Sequence, residues 1–295
     1  MALSVISAPT NLGLKPPEPT AVPGTGRAPE ALRDAGLVAG LASAGELLDL
    51  GVVLPGRYLD DADPSNQRLR NHVRIVDHAR RLAERLARVG AGDQVLVLGG
   101  DCSLLLGAGL HLRRRGNYGL VHIDGHTDYR NPGNSSACAS LAGEDLAAAV
   151  GKHWPGIADI EGPGPLFDPG HVAQVGCRDL DEHLDEARAD LGAVVTAREW
   201  ITDPTSAAAR IDAVLAADSL DGYWLHVDVD VLDPSVMPAV DSPAPGGLAI
   251  EELRSLLDRY WPRATGLQLC VFDPDLDPGG DLARQLADLL PAVIA

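Results

Sequence analysis

Two short segments hold the residues best placed to do chemistry. Asp124, His126 and Asp128 alternate in Asp124-Gly125-His126-Thr127-Asp128, and Asp228 and Asp230 alternate in Asp228-Val229-Asp230. In extended backbone alternate side chains share a face, so each segment presents its polar atoms together. Carboxylates gathered at one buried spot repel one another and lose hydration, and cations relieve both costs. One divalent ion offsets two carboxylates, and two ions offset all four. Mixed oxygen and nitrogen donors suit Mn²⁺, Fe²⁺ or Zn²⁺ better than Ca²⁺. Asp-x-Asp and Asp-Pro also open turns, and Asp233-Pro234 is read that way. For the two alternating segments the metal reading is preferred, because each directly follows an apolar strand.

A third segment, Gly99-Gly100-Asp101-Cys102-Ser103, adds a thiol after another apolar run. Asp101 is expected to orient the turn, and Cys102 to offer a ligand. His122 and His226 each lie two residues before a ligand aspartate on the same strand face. They are read either as donors that orient carboxylates or as core histidines.

The elements that must position these residues alternate in type. Strands are expected at Ser4–Ala8, Val95–Leu98, Gly119–Ile123, Val172–Val175, Ala193–Thr196, Tyr223–Val227 and Thr265–Phe272. Helices are expected at Pro29–Ala35, residues 66–89, Leu104–Arg114, Leu141–Val150, Leu184–Leu191, Thr205–Ala217, Glu251–Tyr260 and Leu282–Val293. In residues 66–89, Leu69, Val73, Val76, Leu82, Leu86 and Val89 recur near a 3.6-residue period. Such alternation predicts an α/β fold with a mostly parallel sheet covered on both faces. Ligands of open parallel sheets collect beyond the carboxyl ends of the strands, where all three segments fall.

The 295 residues are read as one domain, 1–295, with 45% hydrophobic and 22% charged residues. Asp and Glu number 42 against 24 Lys and Arg, a formal charge of −18 that disfavours nucleic acid. No apolar run is long enough for a bilayer, and the first residues lack a basic leader region. The four cysteines are scattered. A cytoplasmic location without a disulfide framework is therefore expected.

In these segments the chain resembles the ureohydrolases, the family of arginase, agmatinase and related amidinohydrolases. The likeness continues through Gly176-Cys177-Arg178-Asp179-Leu180-Asp181, through Ser242-Pro243-Ala244-Pro245-Gly246-Gly247-Leu248, and through residues 24–37. It implies a three-layer α/β/α sandwich of about eight mostly parallel strands. It also implies two divalent ions, Mn²⁺ first and Fe²⁺ or Zn²⁺ as alternatives, and a small guanidino substrate split to urea and an amine. Carried over by position, Asp124 and Asp228 are the bridging, water-activating carboxylates. Cys102 and Asp128 complete metal A, and His126 and Asp230 complete metal B. Arg130, Asn131, Asp181 and His183 become substrate-binding residues. Family members form trimers and hexamers, so a homo-oligomer is compatible.

Three positions depart from the family. Cys102 stands where most members carry a histidine ligand, and a soft thiolate weakens the preference for Mn²⁺. A cysteine there also occurs in the branch that hydrolyses Nω-hydroxy-arginine. Ala142 stands where a histidine shuttles protons, and Val271 where a glutamate holds the guanidinium. Asp273 and Asp275 are the acids that could reach in instead; with Asp277 they also read as turn residues. These losses point to an N-modified guanidine, with a metal-poor, non-catalytic binding protein as the alternative.

Overall fold

Eight strands lie in the order β2-β1-β3-β8-β7-β4-β5-β6, and every neighbouring pair runs parallel. The computed structural model describes residues 2–294. The chain order is β1 (Leu3–Ala8), α1 (Ala28–Asp34), α2 (Leu37–Ala44), β2 (Leu47–Val52), α3 (His72–Leu86), β3 (Gln94–Gly99), α4 (Leu104–Arg113) and β4 (Gly119–Ile123). There follow α5 (Asp145–Ala149), β5 (Val172–Val175), α6 (Leu184–Asp190), β6 (Ala193–Val195), α7 (Ala197–Thr202) and α8 (Pro204–Leu215). The chain ends with β7 (Tyr223–Asp228), α9 (Ile250–Tyr260), β8 (Gly266–Cys270) and α10 (Asp281–Ile294).

Every residue of β4, β7 and β8 is buried. Successive strand residues point to opposite faces, so helices must cover both sides, as in a three-layer α/β/α sandwich. The sequence supports this directly: Gly119-Leu120-Val121-His122-Ile123 and Tyr223-Trp224-Leu225-His226-Val227 are apolar apart from one histidine each. Those histidines sit side by side, since His122 pairs with His226 in register.

Helix α3 buries Ile75, Ala79, Leu82 and Leu86, one stripe at four- and three-residue steps. Each fully buried Leu or Ile there contributes ~1.5–3 kcal/mol. The helix is shorter than the 66–89 stretch expected. It starts after Asn71, whose left-handed backbone (φ 56°) breaks the periodicity, and Val73 faces solvent at 72% exposure. The Leu141–Val150 stretch divides into a 3₁₀ turn at Leu141–Gly143 and α5. Elements α2, β2 and α7 were not expected. Strand β2 is a partly exposed edge paired only with β1, so burial imprints no alternation on it. Among the described residues, no helix is long and apolar enough to cross a membrane.

Candidate metal centre

The order β3-β8-β7-β4 places the ends of four central strands together. Cys102 follows β3, Asp124–Asp128 follow β4, Asp228 and Asp230 follow from β7, and Val271 follows β8. The three segments converge as expected.

Cys102 is fully buried and its thiol donates to Asp228 Oδ2 at 3.0 Å. Asp228 Oδ1 accepts the Asp230 amide at 2.8 Å. His126 Nδ1 lies 2.9 Å from Asp230 Oδ2 and 3.8 Å from Asp124 Oδ1. Asp124 Oδ1 accepts the His126 amide at 2.7 Å, while buried Asp124 Oδ2 has no hydrogen-bond partner. Asp230 Oδ1 accepts the Gly125 amide at 3.0 Å. Only glycine allows that approach, because a Cβ on Gly125 would meet Asp230 O at 2.6 Å and Oδ1 at 2.9 Å. Asp128 is 7% exposed and holds a left-handed backbone (φ 46°).

Burial, then the carboxylates of Asp128 and Asp230, pushes Asp124 well above the ordinary carboxylate range. Burial, then Asp145 and Asp230, does the same to Asp128. Burial, then Asp230 and Asp124, does so to Asp228. For Asp230 burial is the largest single influence and raises the pKa, but the hydrogen bond and charge of His126, the Gly125 amide and Arg178 together outweigh it, and its pKa falls. Burial also pushes the Cys102 thiol up, with Cys270 and Asp228 adding to it. Asp124, Asp128, Asp228 and Cys102 therefore disfavour charge when left to themselves, and cations would reverse that. An unpartnered carboxylate oxygen, four carboxylates, an imidazole and a thiol together fit divalent ions of the Mn²⁺, Fe²⁺ or Zn²⁺ type.

Before this wall lies a cavity of about 900 Å³, lined by His126, Asp128, Asp228 and Asp230 at its base. Arg130, Asp181 and His183 line it too, as do Ala142 and Val271. The carboxylate of Asp181 accepts from Thr127 N at 3.0 Å, Thr127 Oγ1 at 2.6 Å and His183 N at 2.9 Å, which ties the 177–183 loop to the metal-binding segment. His183 Nε2 is buried without a partner. Asn131 does not line the cavity. Its amide donates to Tyr129 O and Glu186 Oε1, and its Oδ1 accepts from Gly133 N, so it shapes the loop instead.

Asp273, Asp275 and Asp277 do not line the cavity either. Asp273 accepts from Gly24 N, Asp275 pairs with Arg27, and Asp277 accepts from Ala283 N in α10. Their oxygens are spent on neighbouring backbone and Arg27. The carboxylate missed in the sequence is Asp241. It lines the cavity and its side chain accepts only from its neighbour Ser242, at 3.1 Å. A lone Asp in a Ser-Pro-rich loop carries no spacing signal that could have marked it. Lys15 also lines the cavity, as an exposed ammonium beside Arg130's wall.

Asp101 acts as expected, holding the turn through Thr10 Oγ1, Gly13 N and Ser103 N. Arg178 was missed. Its guanidinium donates to the carbonyls of Gly176, Asp230, Val231, Leu232 and Ala244 at 2.8–3.2 Å, clamping three loops around Asp230.

A parallel α/β sheet with a carboxylate, imidazole and thiol wall at its strand ends is the frame of a metal-dependent hydrolase. The Arginase family model matches residues 2–294. The arginase of Brevibacillus brevis is 31% identical over 268 residues, covering 85% of this chain and 82% of the relative. The native arginase structure from Bacillus caldovelox superposes with TM-score 0.87 at 27% identity, covering 100% of this chain and 98% of that one. Proclavaminate amidino hydrolase from Streptomyces clavuligerus shares the fold, with TM-score 0.73 at 24% identity and 99% and 90% coverage. The chain belongs to the Arginase family, hydrolases of a guanidino carbon–nitrogen bond.

Proposed function

We propose that this protein, working as one domain, hydrolyses a small N-modified guanidino compound, with Nω-hydroxy-L-arginine the foremost example. The supporting observation is the convergence of His126, Asp128, Asp228 and Asp230 on the cavity lining, with the fully buried Asp124 behind them and its Oδ1 3.8 Å from His126 Nδ1. In this reading Asp124 and Asp228 bridge two divalent ions, Mn²⁺ first. Cys102 and Asp128 serve one ion, and His126 and Asp230 the other. Such ions supply a water acidified toward neutrality and a Lewis acid for the substrate.

The protein's own side chains do the rest. His126 and Asp230 hold one another at 2.9 Å, which fixes the imidazole's direction. Arg130, with Lys15, offers cationic partners for a substrate acid group at the cavity wall. Asp241 offers the free carboxylate for a cationic group, a role Val271 cannot fill.

Ala142 supplies no proton to a leaving amine. His153, which follows in sequence, is engaged by Glu144 Oε2 at 2.9 Å and does not line the cavity. The leaving alkylamine is the same with or without N-hydroxylation, because the hydroxylated nitrogen stays in the hydroxyurea, so its proton must come from water or another cavity group. What N-hydroxylation lowers is the basicity of the guanidinium, which lessens the need for a carboxylate at position 271. Ala142 and Val271 also favour a second reading, a non-catalytic arginase-like binding protein. A screen for urea or hydroxyurea release from guanidino compounds, with each divalent metal supplied, separates the two. Turnover of the N-hydroxylated compound supports the first reading, and metal-loaded protein inert on every compound supports the second.

A further inference from the structure

Behind Asp124, away from the cavity, lies a second polar cluster. His122 and His226 are fully buried and stack face to face, with ring centroids 4.4 Å apart and planes within 3°. Asp145, at the start of α5, is also fully buried. Neither nitrogen of His122 and neither oxygen of Asp145 has a hydrogen-bond partner, and the same holds for His226 Nε2 and Asp124 Oδ2. Four of these atoms face one another. His122 Nε2 is 3.7 Å from Asp145 Oδ1 and 3.9 Å from Asp124 Oδ2, and His226 Nε2 is 3.9 Å from the same Asp124 oxygen.

Leaving six such atoms dry and unpaired would cost several times the ~1–3 kcal/mol of one unsatisfied group. Hydrogen bonds among them do not close the gap at these separations, although Asp145 also lies against the Asp128 carboxyl, with which it can share a proton. Donors bound ~2.1 Å from one tetrahedral ion stand roughly 3.4 Å apart, so a slight contraction of the 3.7 and 3.9 Å separations brings His122 to that distance from each carboxylate.

The two histidines are not equivalent. Trp224 Nε1 donates to Gln268 Oε1 at 3.1 Å, which fixes that amide's orientation. Gln268 Nε2 then donates to His226 Nδ1 at 2.7 Å. With its Nδ1 accepting, neutral His226 carries its proton on Nε2, so it faces Asp124 as a donor and not as a ligand. His122 has no such restraint. The charge count agrees: Asp124, Asp128, Asp145, Asp228 and Asp230 are five buried carboxylates. Two divalent ions offset only four of them.

We propose that His122 Nε2, Asp145 and the inward oxygen of Asp124 form a divalent-cation position behind the cavity-facing wall, with His226 donating at its rim. The proposal rests on the metal-dependent reading above, shares Asp124 with it and adds His122 and Asp145, which that reading does not use. Neutral imidazole with two carboxylates suits Mn²⁺, Zn²⁺ or Fe²⁺, and supplies an imidazole nitrogen from β4 where position 102 offers only sulfur.

The test is a crystal structure of the full chain loaded with Mn²⁺, read by anomalous scattering. The expected result is a peak within ~2.5 Å of His122 Nε2 and an Asp145 oxygen. Ions confined to the wall of Asp128, Asp228 and Asp230, with His122 bonded to a protonated Asp145 or to water, would overturn the proposal while leaving the metal-dependent reading intact. No ion anywhere would remove both. In solution, folded His122→Gln and Asp145→Asn proteins should each lose about one Mn²⁺ per chain by elemental analysis and keep the remainder. Should one fail to fold, the other decides. Metal content unchanged from the parent would overturn the proposal.

Discussion

The thiol of Cys102, itself fully buried, donates to Oδ2 of Asp228, a residue at the base of the cavity, at 3.0 Å. The hydrogen on sulfur occupies the space between two expected ligands. An ion binding there must displace that proton, which couples metal uptake at this position to thiol ionisation.

Cobalt substitution should report that coupling. Co²⁺-loaded protein is expected to show a near-ultraviolet thiolate-to-cobalt charge-transfer band that Cys102→Ser lacks. Cys102→His should keep or raise Mn²⁺ affinity, because imidazole suits that ion better than sulfur. The same band in Cys102→Ser would show that Cys102 is a bystander.

The metal-free protein should lose stability as pH rises above about 6.5, where His72, His78, His111, His122 and His226 are neutral in both folded and unfolded chain. Burial pushes Asp145 up to about 7, and Asp124, Asp128 and Asp228 are also raised. Groups with raised folded pKa values bind more protons folded than unfolded between the two values, so stability falls with pH across that window. For Asp145 the window runs from the ordinary 3.8 to about 7. Below about pH 6.5 the lowered pKa values of those five histidines push the other way, so the test range lies above them. Thermal melts of chelated protein from pH 6.5 to 8.5 should show a falling Tm, and added Mn²⁺ should raise Tm more at the upper end. A chelated Tm that climbs through this range would contradict the assignment of these carboxyls.

Substrate preference should follow position 271. Val271 lines the cavity with a left-handed backbone (φ 71°), and its amide is held by Gly100 O at 2.7 Å. Unmodified L-arginine is expected to be a poor substrate, below ~10⁴ M⁻¹s⁻¹ in kcat/KM, and Nω-hydroxy-L-arginine a better one. Asp241→Asn should lower kcat/KM for cationic substrates by ~10-fold or more, the loss of one charged hydrogen bond. Val271→Glu should raise turnover of L-arginine relative to the parent. Kinetics on one Mn²⁺-loaded preparation check all three, and efficient L-arginine hydrolysis by the parent would refute the reading of Val271 and Ala142.

Arg178 should matter to stability more than its surface position suggests. Lysine cannot span the five carbonyls that its guanidinium reaches. Arg178→Lys is expected to cost about 2–4 kcal/mol by denaturant titration, and to weaken metal binding through Asp230. A midpoint within error of the parent would mean the clamp is dispensable.

The strands that carry the site were readable because burial on both faces writes a continuous apolar run, as in Gly119–Ile123 and Tyr223–Val227. The alternating aspartates were readable because a strand end fixes which side chains share a face. Edge strand β2 was not, since its burial follows no alternation. Helix α7 is marked only at its start, where Thr196 and Glu199 form a capping pair three residues apart that was missed. Asp145 was hidden for a different reason. It lies in a stretch that reads as ordinary helix, and its importance comes from packing against His122 and Asp128, residues distant in sequence. Asn131, by contrast, looked like a substrate residue and proves to be a loop brace.

The most direct test of the account is metal content. Protein loaded with Mn²⁺, freed of excess ion and analysed for metal should carry at least about two ions per chain. Asp228→Ala, handled identically and shown to be folded, should lose metal from both positions that residue is expected to bridge. Parent protein holding less than about one ion per chain under saturating Mn²⁺, or an Asp228→Ala protein with undiminished content, would contradict the metal centre on which the proposed function rests.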